Sequence, residues 1–273
     1  MPPAGVSTGL LWHTRPVSTP LLVAFDLDDT LAPSKSPMEP RMAELLVRLL
    51  AEVEVCIISG GQFGQFKTQV IDQLNAPDEL LGRLHLMPTC GTQYWRYVGD
   101  TPHESFWFQQ YNEELAPDER RAAIRAVEDE ARHLGFWEEE TWGDIIEDRG
   151  SQITFSALGQ QAPVDAKRAW DPTGEKKNAL REAVQKLLPT LEVRSGGSTS
   201  IDITRRGIDK AYGMARLAEL TDIAIDDMLF VGDRLDVNGN DYPVKLMGMP
   251  TEAVENWEDT AEFLEGFLAA RGA

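Results

Sequence analysis

Short apolar runs and helically spaced apolar residues alternate along the first part of the chain. The run LLVAF at 21–25 contains no polar position, which is typical of a strand buried on both faces of a parallel sheet. Residues 36–39, Ser-Pro-Met-Glu, have the spacing of a capping box, so we expect a helix to begin there. Apolar residues recur at helical spacing over 42–49, and VEVCIIS at 53–59 predicts a second buried strand. This order predicts a parallel βαβ unit.

The same alternation returns near the other end of the chain, where MLFVG at 228–232 stops at Asp233. The middle of the chain has a different pattern of apolar residues. It predicts helices over about 117–134 and 174–188 and short strands at ITF, LEV and SIDIT. We therefore predict an α/β fold. Its expected parts are an N-terminal tail at 1–20, a core domain formed by 21–87 and 201–273, and an inserted α+β cap domain at 88–200.

Composition excludes one class of partner and favours one compartment. The 273 residues carry a formal net charge of −19, which argues against nucleic-acid binding because a polyanion needs a cationic face. The two cysteines, Cys56 and Cys90, are too few for a disulfide framework. No apolar run approaches the roughly 18 residues of a spanning helix, and the amino terminus lacks the pattern of a secretion signal. We expect a cytoplasmic protein with no membrane partner.

Two acidic residues follow the first predicted strand. Asp26 and Asp28 are separated by one residue, so in an extended segment their side chains face the same way. The two carboxylates would repel each other unless a cation shared the site. Alternatively, they only end a strand and begin a turn, as aspartates often do.

A second acidic cluster follows the strand at 228–232. It contains Asp233, Asp236, Asn240 and Asp241. Oxygen ligands of this kind suit Mg²⁺, which keeps several waters and prefers one or two carboxylates together with a substrate phosphate. An acidic loop without a metal ion remains the alternative.

Three further residues have side chains or amides that suit a phosphate group. Ser59 ends the second strand, and with Gly60 it can donate to phosphate oxygens, although a serine before two glycines is often only a turn. Lys210 opens a predicted helix, and a buried lysine there would balance the acids and bind a phosphoryl oxygen. A surface position is the default alternative for a lysine.

The order of these motifs resembles the haloacid dehalogenase superfamily of phosphotransferases over nearly the whole chain from about residue 21. The resemblance rests on DLDDT after the first strand, a serine after the second, a lysine, and then GD with a downstream ND. It implies a Rossmann-like core in which Asp26 is the nucleophile and becomes an aspartyl phosphate. Asp28 is implied as general acid and base, with its main-chain carbonyl on Mg²⁺. Asp233 is implied as the other metal carboxylate, and Asp241 as a support for the metal site and Lys210.

The placement of the insertion after the Ser59 strand resembles subclass IIB, and several stretches are similar to phosphomannomutases. RSGGSTSIDITRRGIDK implies that Ser200 and Asp202 meet sugar hydroxyls. IEDRGSQITFSALGQ implies that Arg149 binds substrate, but Gln160 stands where that family has a second arginine. Lys35 stands where the mutase has an arginine after the nucleophile loop.

These departures favour a phosphatase over a mutase. A mutase must hold a bisphosphate in either orientation, and the loss of one bidentate arginine weakens that grip. We therefore predict a Mg²⁺-dependent phosphatase that acts on a small phosphorylated sugar. A phosphomannomutase-like sugar phosphomutase is the alternative, and a non-catalytic phosphosugar-binding sensor is an alternative of another class.

Overall fold

The structure is a computed structural model that describes residues 19–101 and 104–272. The predicted N-terminal tail at 1–20 lies outside the described residues except for its last two positions. The strands are β1 (Leu22–Phe25), β2 (Glu54–Ile58), β3 (Leu84–Met87), β4 (Gln93–Thr101), β5 (Glu104–Asn112), β6 (Ile146–Asp148), β7 (Gln152–Ser156), β8 (Leu191–Ser195), β9 (Ser200–Arg205), β10 (Met228–Gly232) and β11 (Thr251–Ala253).

Helices connect most of these strands. The α-helices of the described residues are α1 (Pro40–Glu52), α2 (Phe63–Gln69), α3 (Asp78–Leu81), α4 (Pro88–Gly91), α5 (Pro117–His133), α6 (Val164–Trp170), α7 (Glu175–Leu187), α8 (Lys210–Thr221), α9 (Tyr242–Leu246) and α10 (Trp257–Arg271). Two short 3₁₀ helices lie at Ile71–Gln73 and Ile225–Asp227.

The larger sheet has seven strands in the order β11-β10-β1-β2-β3-β4-β5. The first five are parallel, and the sheet continues with β4, which is antiparallel to β3, and β5, which is antiparallel to β4. Strand β1 lies in the middle, between β10 and β2, and its register pairs Phe25 with Val231 and with Ile57. This mixed sheet with mainly parallel strands confirms the predicted α/β class.

Helices cover both faces of this sheet because successive β1 side chains point to opposite sides. Val23 and Phe25 join a buried apolar cluster with side chains of α1 and α10. Leu22 and Ala24 join another cluster, with side chains of α8 and α9. A strand that is fully buried on both faces is therefore apolar throughout, as the run at 21–25 predicts.

The smaller sheet is antiparallel, with four strands in the order β6-β7-β9-β8. Helices α5 and α7 pack against it around a separate apolar cluster that includes Val127, Phe155 and Val184. Both helices lie within about one residue of the limits that the apolar spacing predicts.

The two sheets favour domain boundaries that differ from those expected. Residues 93–112 were expected in the cap, but they form β4 and β5 of the larger sheet, because α4 turns the chain back beside β3. Residues 201–205 were expected in the core, but they belong to β9 of the smaller sheet. We propose a core of 21–112 and 206–272 and a cap of 113–205.

The predicted start of the first helix is wrong. Helix α1 begins at Pro40, and Glu39 occupies its N-cap position. The Ser36 hydroxyl donates to the carbonyl oxygen of Ser34 at 3.3 Å, so it does not cap the helix. The chain is drawn away from helical geometry there because Met38 N donates to the carbonyl oxygen of Gln69.

Within the described ranges, no helix combines the length and apolar character that crossing a membrane requires.

Candidate active site

The candidate active site lies at the carboxyl ends of β1 and β10, two neighbouring parallel strands. Because Phe25 pairs with Val231, the residues that follow each strand leave the sheet at the same edge. The backbone amide of Asp26 donates to the carbonyl oxygen of Val231 at 3.1 Å, which fixes the position of Asp26 beside the start of the second acidic loop.

Three carboxylates from opposite ends of the chain meet at this edge. Asp26, Asp233 and Asp241 each offer an oxygen, and these oxygens lie within 4.8 Å of one another. Asp26 and Asp241 are buried, and Asp233 is half-buried. Acidic oxygens this close and this shielded from water need positive charge nearby.

Lys210 supplies part of that charge from the first turn of α8. Its side chain is 1% exposed, and its Nζ lies 2.7 Å from Asp26 Oδ1 and 2.6 Å from Asp241 Oδ1. Helix α8 begins here because the Asp209 side chain accepts a hydrogen bond from Tyr212 N as the N-cap. Burial acts to lower the pKa of Lys210, but Asp241 and Asp26 outweigh it and raise the pKa, so the ammonium group stays charged.

The acids themselves are destabilised as anions by their surroundings. Burial raises the pKa of Asp26 well above its usual value, and Asp241 adds to the rise while Lys210 opposes it. Burial also raises the pKa of Asp233, again with a contribution from Asp241. A cation bound between these oxygens would favour their ionised forms.

The two oxygens of Asp26 have different partners. Oδ1 accepts hydrogen bonds from Leu27 N at 2.6 Å and from Lys210 Nζ. Oδ2 accepts none from the part of the chain that the structure describes. The carboxylate is therefore held in one orientation through Oδ1, and Oδ2 remains available to a metal ion or a phosphorus atom.

Asp233 and Asp241 are oriented by their own loop and by the first acidic loop. The Thr30 hydroxyl donates to Asp233 Oδ1 at 3.2 Å and accepts from Asp233 N at 3.1 Å. Asp241 Oδ2 accepts from Arg234 N at 3.0 Å. A Cβ on Gly232 would lie 2.4 Å from Asp241 Oδ2, so this close packing requires glycine. This role of Thr30 was not predicted, although the residue stands two positions after Asp28 in the sequence.

The Asp28 carboxylate is not in this cluster of three acids. Its Oδ1 accepts from Lys35 N at 2.7 Å and from Gln69 Nε2 at 3.3 Å, and its Oδ2 accepts from Gln65 Nε2 at 2.8 Å. The carboxylates of Asp26 and Asp28 therefore have separate sets of partners, although their spacing predicts that they face one point. Left-handed backbone at Asp29 turns the chain directly after Asp28.

Ser59 and Gly60 follow β2, the strand on the other side of β1 from β10. Ser59 is buried, and its hydroxyl oxygen accepts from Gly61 N at 3.2 Å, which leaves the hydroxyl proton to donate elsewhere. The carbonyl oxygen of Gly60 accepts from Arg149 Nη1 at 2.7 Å. Arg149 also pairs with Glu147, at 2.9 Å from Nε to Oε2, so its guanidinium group is already bonded to protein groups.

Ser200 and Asp202 lie on β9, on the smaller sheet. Asp202 Oδ1 accepts from Thr154 Oγ1 at 2.7 Å and from Gln152 Nε2 at 2.8 Å. Burial raises the pKa of the Cys90 thiol to about 12, with Lys210 opposing the rise and Asp202 adding to it.

Lys35 and Gln160 are in contact across the two sheets. Lys35 Nζ donates to Gln160 Oε1 at 3.0 Å, and Lys167 Nζ donates to the carbonyl oxygen of Gln160 at 2.9 Å. Lys35 therefore meets the residue at the position of the expected second arginine. Lys167 is a second cation here that the sequence analysis did not identify.

The residues of the acidic cluster fit a divalent metal ion. Three carboxylates and one ammonium group have a net charge of −2 when all are ionised, which one divalent cation neutralises. All the available donors are oxygens, which suits Mg²⁺ better than softer metals. The carboxylates of Asp26 and Asp233 are the groups we expect to hold the ion.

The fold and this arrangement of acids define a class of protein. A family model described as haloacid dehalogenase-like hydrolase matches residues 164–243. The fold is similar to a haloacid dehalogenase-like hydrolase from Bacteroides thetaiotaomicron, with a TM-score of 0.57 at 15% identity, over 91% of this chain and 99% of that chain. It is also similar to IMP-nucleotidase of Plasmodium falciparum, with a TM-score of 0.70 at 14% identity, over 93% of this chain and 72% of that chain. These similarities support the predicted resemblance to the haloacid dehalogenase superfamily, and they indicate an enzyme of the phosphotransferase and phosphatase class.

Sequence similarity extends over most of the chain to one group of relatives. The chain is 23% identical to a probable phosphomannomutase of Caenorhabditis elegans, over 93% of this chain and 98% of the relative. It is 23% identical to human phosphomannomutase 1, over 82% of each. The chain is therefore similar to phosphomannomutases over most of its length, as the motifs predict.

Proposed function

We propose that this chain is a cytoplasmic, Mg²⁺-dependent phosphatase that hydrolyses small phosphorylated sugars through an aspartyl phosphate on Asp26. One observation supports it above all: Asp26, fixed through Oδ1 by a buried lysine, presents a free Oδ2 beside two further acids. This arrangement provides both a nucleophile and a cation site. When bound, Mg²⁺ would neutralise charge on the transferring phosphoryl group.

The first step uses Asp26 and Asp28. Asp26 Oδ2 attacks phosphorus in line, the bond between phosphorus and the sugar oxygen breaks, and that oxygen takes a proton from Asp28. Lys210 keeps Asp26 oriented while its Nζ also offsets negative charge. Because the Asp28 carboxylate now accepts from Gln65, we expect it to exchange that hydrogen bond for one to the sugar oxygen when substrate binds.

The second step releases phosphate. Water attacks phosphorus, gives its proton to Asp28, and the bond between phosphorus and Asp26 breaks, which restores both carboxyl groups. We expect the Ser59 hydroxyl, whose proton is not used in its hydrogen bond with Gly61 N, to donate to the phosphoryl oxygens together with the backbone amide of Gly60. On this assignment Asp233 would contact the metal ion, and Asp241 would keep its hydrogen bond with Lys210.

The contacts of the cap favour hydrolysis over mutase activity. A mutase needs strong anion binding by the cap, but Gln160 occupies the second arginine position and Arg149 is committed to Glu147 and Gly60. A phosphatase needs to hold only the transferred phosphate. Ser200 and Asp202 on β9 are the residues that we expect to meet sugar hydroxyls, as the resemblance to phosphomannomutases implies.

The test is an assay with mannose 1-phosphate and Mg²⁺, with and without a hexose bisphosphate, in which free phosphate and mannose 6-phosphate are both measured. We expect phosphate release without accumulation of mannose 6-phosphate. Stoichiometric isomerisation with little phosphate release would show that the chain is a mutase.

The sensor alternative is tested by Asp26→Asn, with Asp236→Asn as the matched control. Asp236 lies in the same acidic region but is exposed and pairs with Arg234. We expect Asp26→Asn to abolish phosphate release and Asp236→Asn to leave it nearly unchanged. A natural chain that releases no phosphate, together with an Asp26→Asn variant that binds sugar phosphate as tightly as the natural chain does, would indicate a sensor.

A further inference from the structure

One arginine between two strands of the smaller sheet reaches the loop that follows β2 in the larger sheet. Arg149 lies in the turn between β6 and β7, and its side chain is 10% exposed. Its Nη1 donates to the carbonyl oxygen of Gly60 at 2.7 Å, while Nε and Nη2 donate to Glu147 Oε2. Each guanidinium nitrogen therefore has a protein acceptor, and one of these acceptors is a main-chain group next to Ser59.

The carbonyl groups of three successive residues in this loop are all held by hydrogen bonds. The carbonyl oxygen of Ser59 accepts from Cys90 N at 2.9 Å, and that of Gly61 accepts from Thr89 N at 3.0 Å. Both donors lie in left-handed backbone of α4, with φ of 56° at Cys90 and 50° at Thr89. The middle carbonyl, that of Gly60, is the one that receives the guanidinium group. The larger sheet's own segment thus holds the first and third carbonyls, and the smaller sheet holds the second.

Holding the Gly60 carbonyl also fixes the amide that follows it. In a trans peptide the carbonyl and the next N–H group lie in one plane and point in opposite directions, and the described residues contain no cis peptide bond. The N–H group of this peptide belongs to Gly61, and it donates to Ser59 Oγ at 3.2 Å. A hydroxyl that accepts in this way directs its own proton elsewhere and becomes a stronger donor. The Arg149 guanidinium group is therefore linked through one peptide group to the Ser59 hydroxyl.

Other contacts hold the turn of this arginine against the same part of the larger sheet. Gln62 Nε2 donates to Glu147 Oε1 at 2.6 Å, so the carboxylate that pairs with Arg149 is itself fixed by the loop after β2. The hydroxyl oxygens of Thr92 and Ser151, both buried, are 2.6 Å apart and join α4 to the turn after β6. A buried polar network whose members are paired is rigid. Arg149 is therefore held in place by the protein itself.

We propose that Arg149 is a positioning residue for phosphoryl transfer, which acts through the peptide group between Gly60 and Gly61 and through Ser59, without contact with the sugar. This inference rests on the proposed function, because Ser59 is the group expected to donate to the phosphoryl oxygens. It differs from the role that the resemblance to phosphomannomutases implies, in which Arg149 binds substrate. It follows that Arg149 supports the reaction of every phosphate ester, including one without a sugar.

The test compares two substrates, mannose 1-phosphate and 4-nitrophenyl phosphate, which contains no sugar. The kcat and KM for phosphate release are measured for the natural chain, for Arg149→Met, which removes the guanidinium group, and for Arg149→Lys, which keeps one cationic donor. Arg120→Met is the matched control, because Arg120 pairs with Asp148, the residue that precedes Arg149.

We expect Arg149→Met to lower kcat about 10-fold or more for both esters and to change KM less than kcat, because a misplaced donor stabilises the transition state less. Arg149→Lys should recover part of the loss, and Arg120→Met should leave kcat nearly unchanged. A loss confined to KM for mannose 1-phosphate, with 4-nitrophenyl phosphate unaffected, would show that Arg149 binds the sugar phosphate and would overturn the inference.

A double-mutant cycle with Ser59→Ala tests the route through the hydroxyl. If Arg149 acts through Ser59, adding Arg149→Met to Ser59→Ala should lower kcat by less than about 3-fold. A further loss as large as that in the natural chain would show that the two residues act independently, which contradicts the proposed route. Glu147→Gln keeps the arginine but removes the charge that anchors it, so it replaces Arg149→Met in the same cycle if that variant does not fold.

Binding of inorganic phosphate in the presence of Mg²⁺ separates this inference from the proposed function. Calorimetric titration of the natural chain, the Ser59→Ala and Arg149→Met variants and the double variant gives a second cycle that needs no turnover. If no ester is hydrolysed, but each single variant binds phosphate about 5-fold more weakly and the double variant no more weakly than Ser59→Ala, the proposed function fails and the positioning role stands. If no ester is hydrolysed and the four affinities are equal or the two effects multiply, both fail. Hydrolysis with independent effects of the two residues on kcat leaves the function and overturns the positioning role.

Discussion

Replacing Lys210 by methionine tests the central electrostatic feature of the molecule. Methionine keeps the length of the side chain but removes the ammonium group that lies 2.7 Å from Asp26 and 2.6 Å from Asp241. Both carboxyl groups would then be buried without their counter-charge. We expect the variant to be less stable and inactive, because Asp26 also loses one of the two donors that orient it.

The size of the effect follows from the burial of all three groups. Removing one partner from a buried ionic network costs about 3–5 kcal/mol of unfolding free energy. For a chain of this size each kcal/mol lowers the melting temperature by about 2–4 °C, so the expected fall is roughly 6–20 °C at pH 7. An exposed lysine should contribute less than about 0.5 kcal/mol, so Lys186→Met is the matched control.

The unfolding free energy that Lys210→Met loses should depend on pH. Without Lys210, the folded-state pKa of Asp26 rises further above its unfolded value of about 3.9. The stability that a raised carboxyl pKa contributes is present below the unfolded value and is lost as pH rises through the folded value. The loss of stability in Lys210→Met should therefore be smaller at pH 5 than at pH 7.5.

Urea unfolding of the natural chain and both lysine variants at the two pH values measures this effect. Addition of Mg²⁺ should recover part of the deficit, because a divalent ion would replace some of the missing positive charge. A deficit below about 1 kcal/mol at pH 7.5, or one that is equal at both pH values, would refute this account of the buried charges.

Three further changes test the packing and orientation around the site. Thr30→Val removes the hydroxyl that bonds Asp233 and should weaken Mg²⁺ binding about 10-fold in a metal titration, whereas equal affinity would contradict the positioning role. Gly213→Ala places a Cβ 2.8 Å from the carbonyl oxygen of Cys90 and should lower the unfolding free energy by about 1–3 kcal/mol in urea, whereas unchanged stability would contradict this close packing. Cys56 is fully buried, and its burial raises the pKa of the thiol, so it should react with a thiol reagent at pH 8 only after unfolding, and rapid reaction of Cys56 in the folded chain would contradict its burial.

The proximity of Asp26 and Asp233 could be predicted, because it follows from the parallel arrangement of the strands that precede them. Asp26 and Asp233 each come directly after a fully apolar run, and the ends of adjacent parallel strands lie at one edge. The burial of Lys210 could be anticipated from charge balance, since three nearby acids need a cation.

Other features depend on contacts between distant segments and could not be predicted. Strands β4 and β5 join the core sheet through a turn at α4, although their mixed polar and aromatic residues resemble those of the inserted part. Helix α1 starts at Pro40 because Gln69 holds the preceding segment in an extended form. Lys167 lies on a short, polar helix, where a lysine is expected to face water, and only its contact with Gln160 distinguishes it.

The most direct test of the central claim is a crystal structure grown with Mg²⁺ and beryllium fluoride, which mimics a phosphoryl group on an aspartate. We expect beryllium fluoride bonded to Asp26 Oδ2, with the metal ion contacting Asp26 and Asp233 and with Lys210 still bridging Asp26 and Asp241. Beryllium fluoride bonded to another residue, or a metal ion bound away from these three acids, would contradict it.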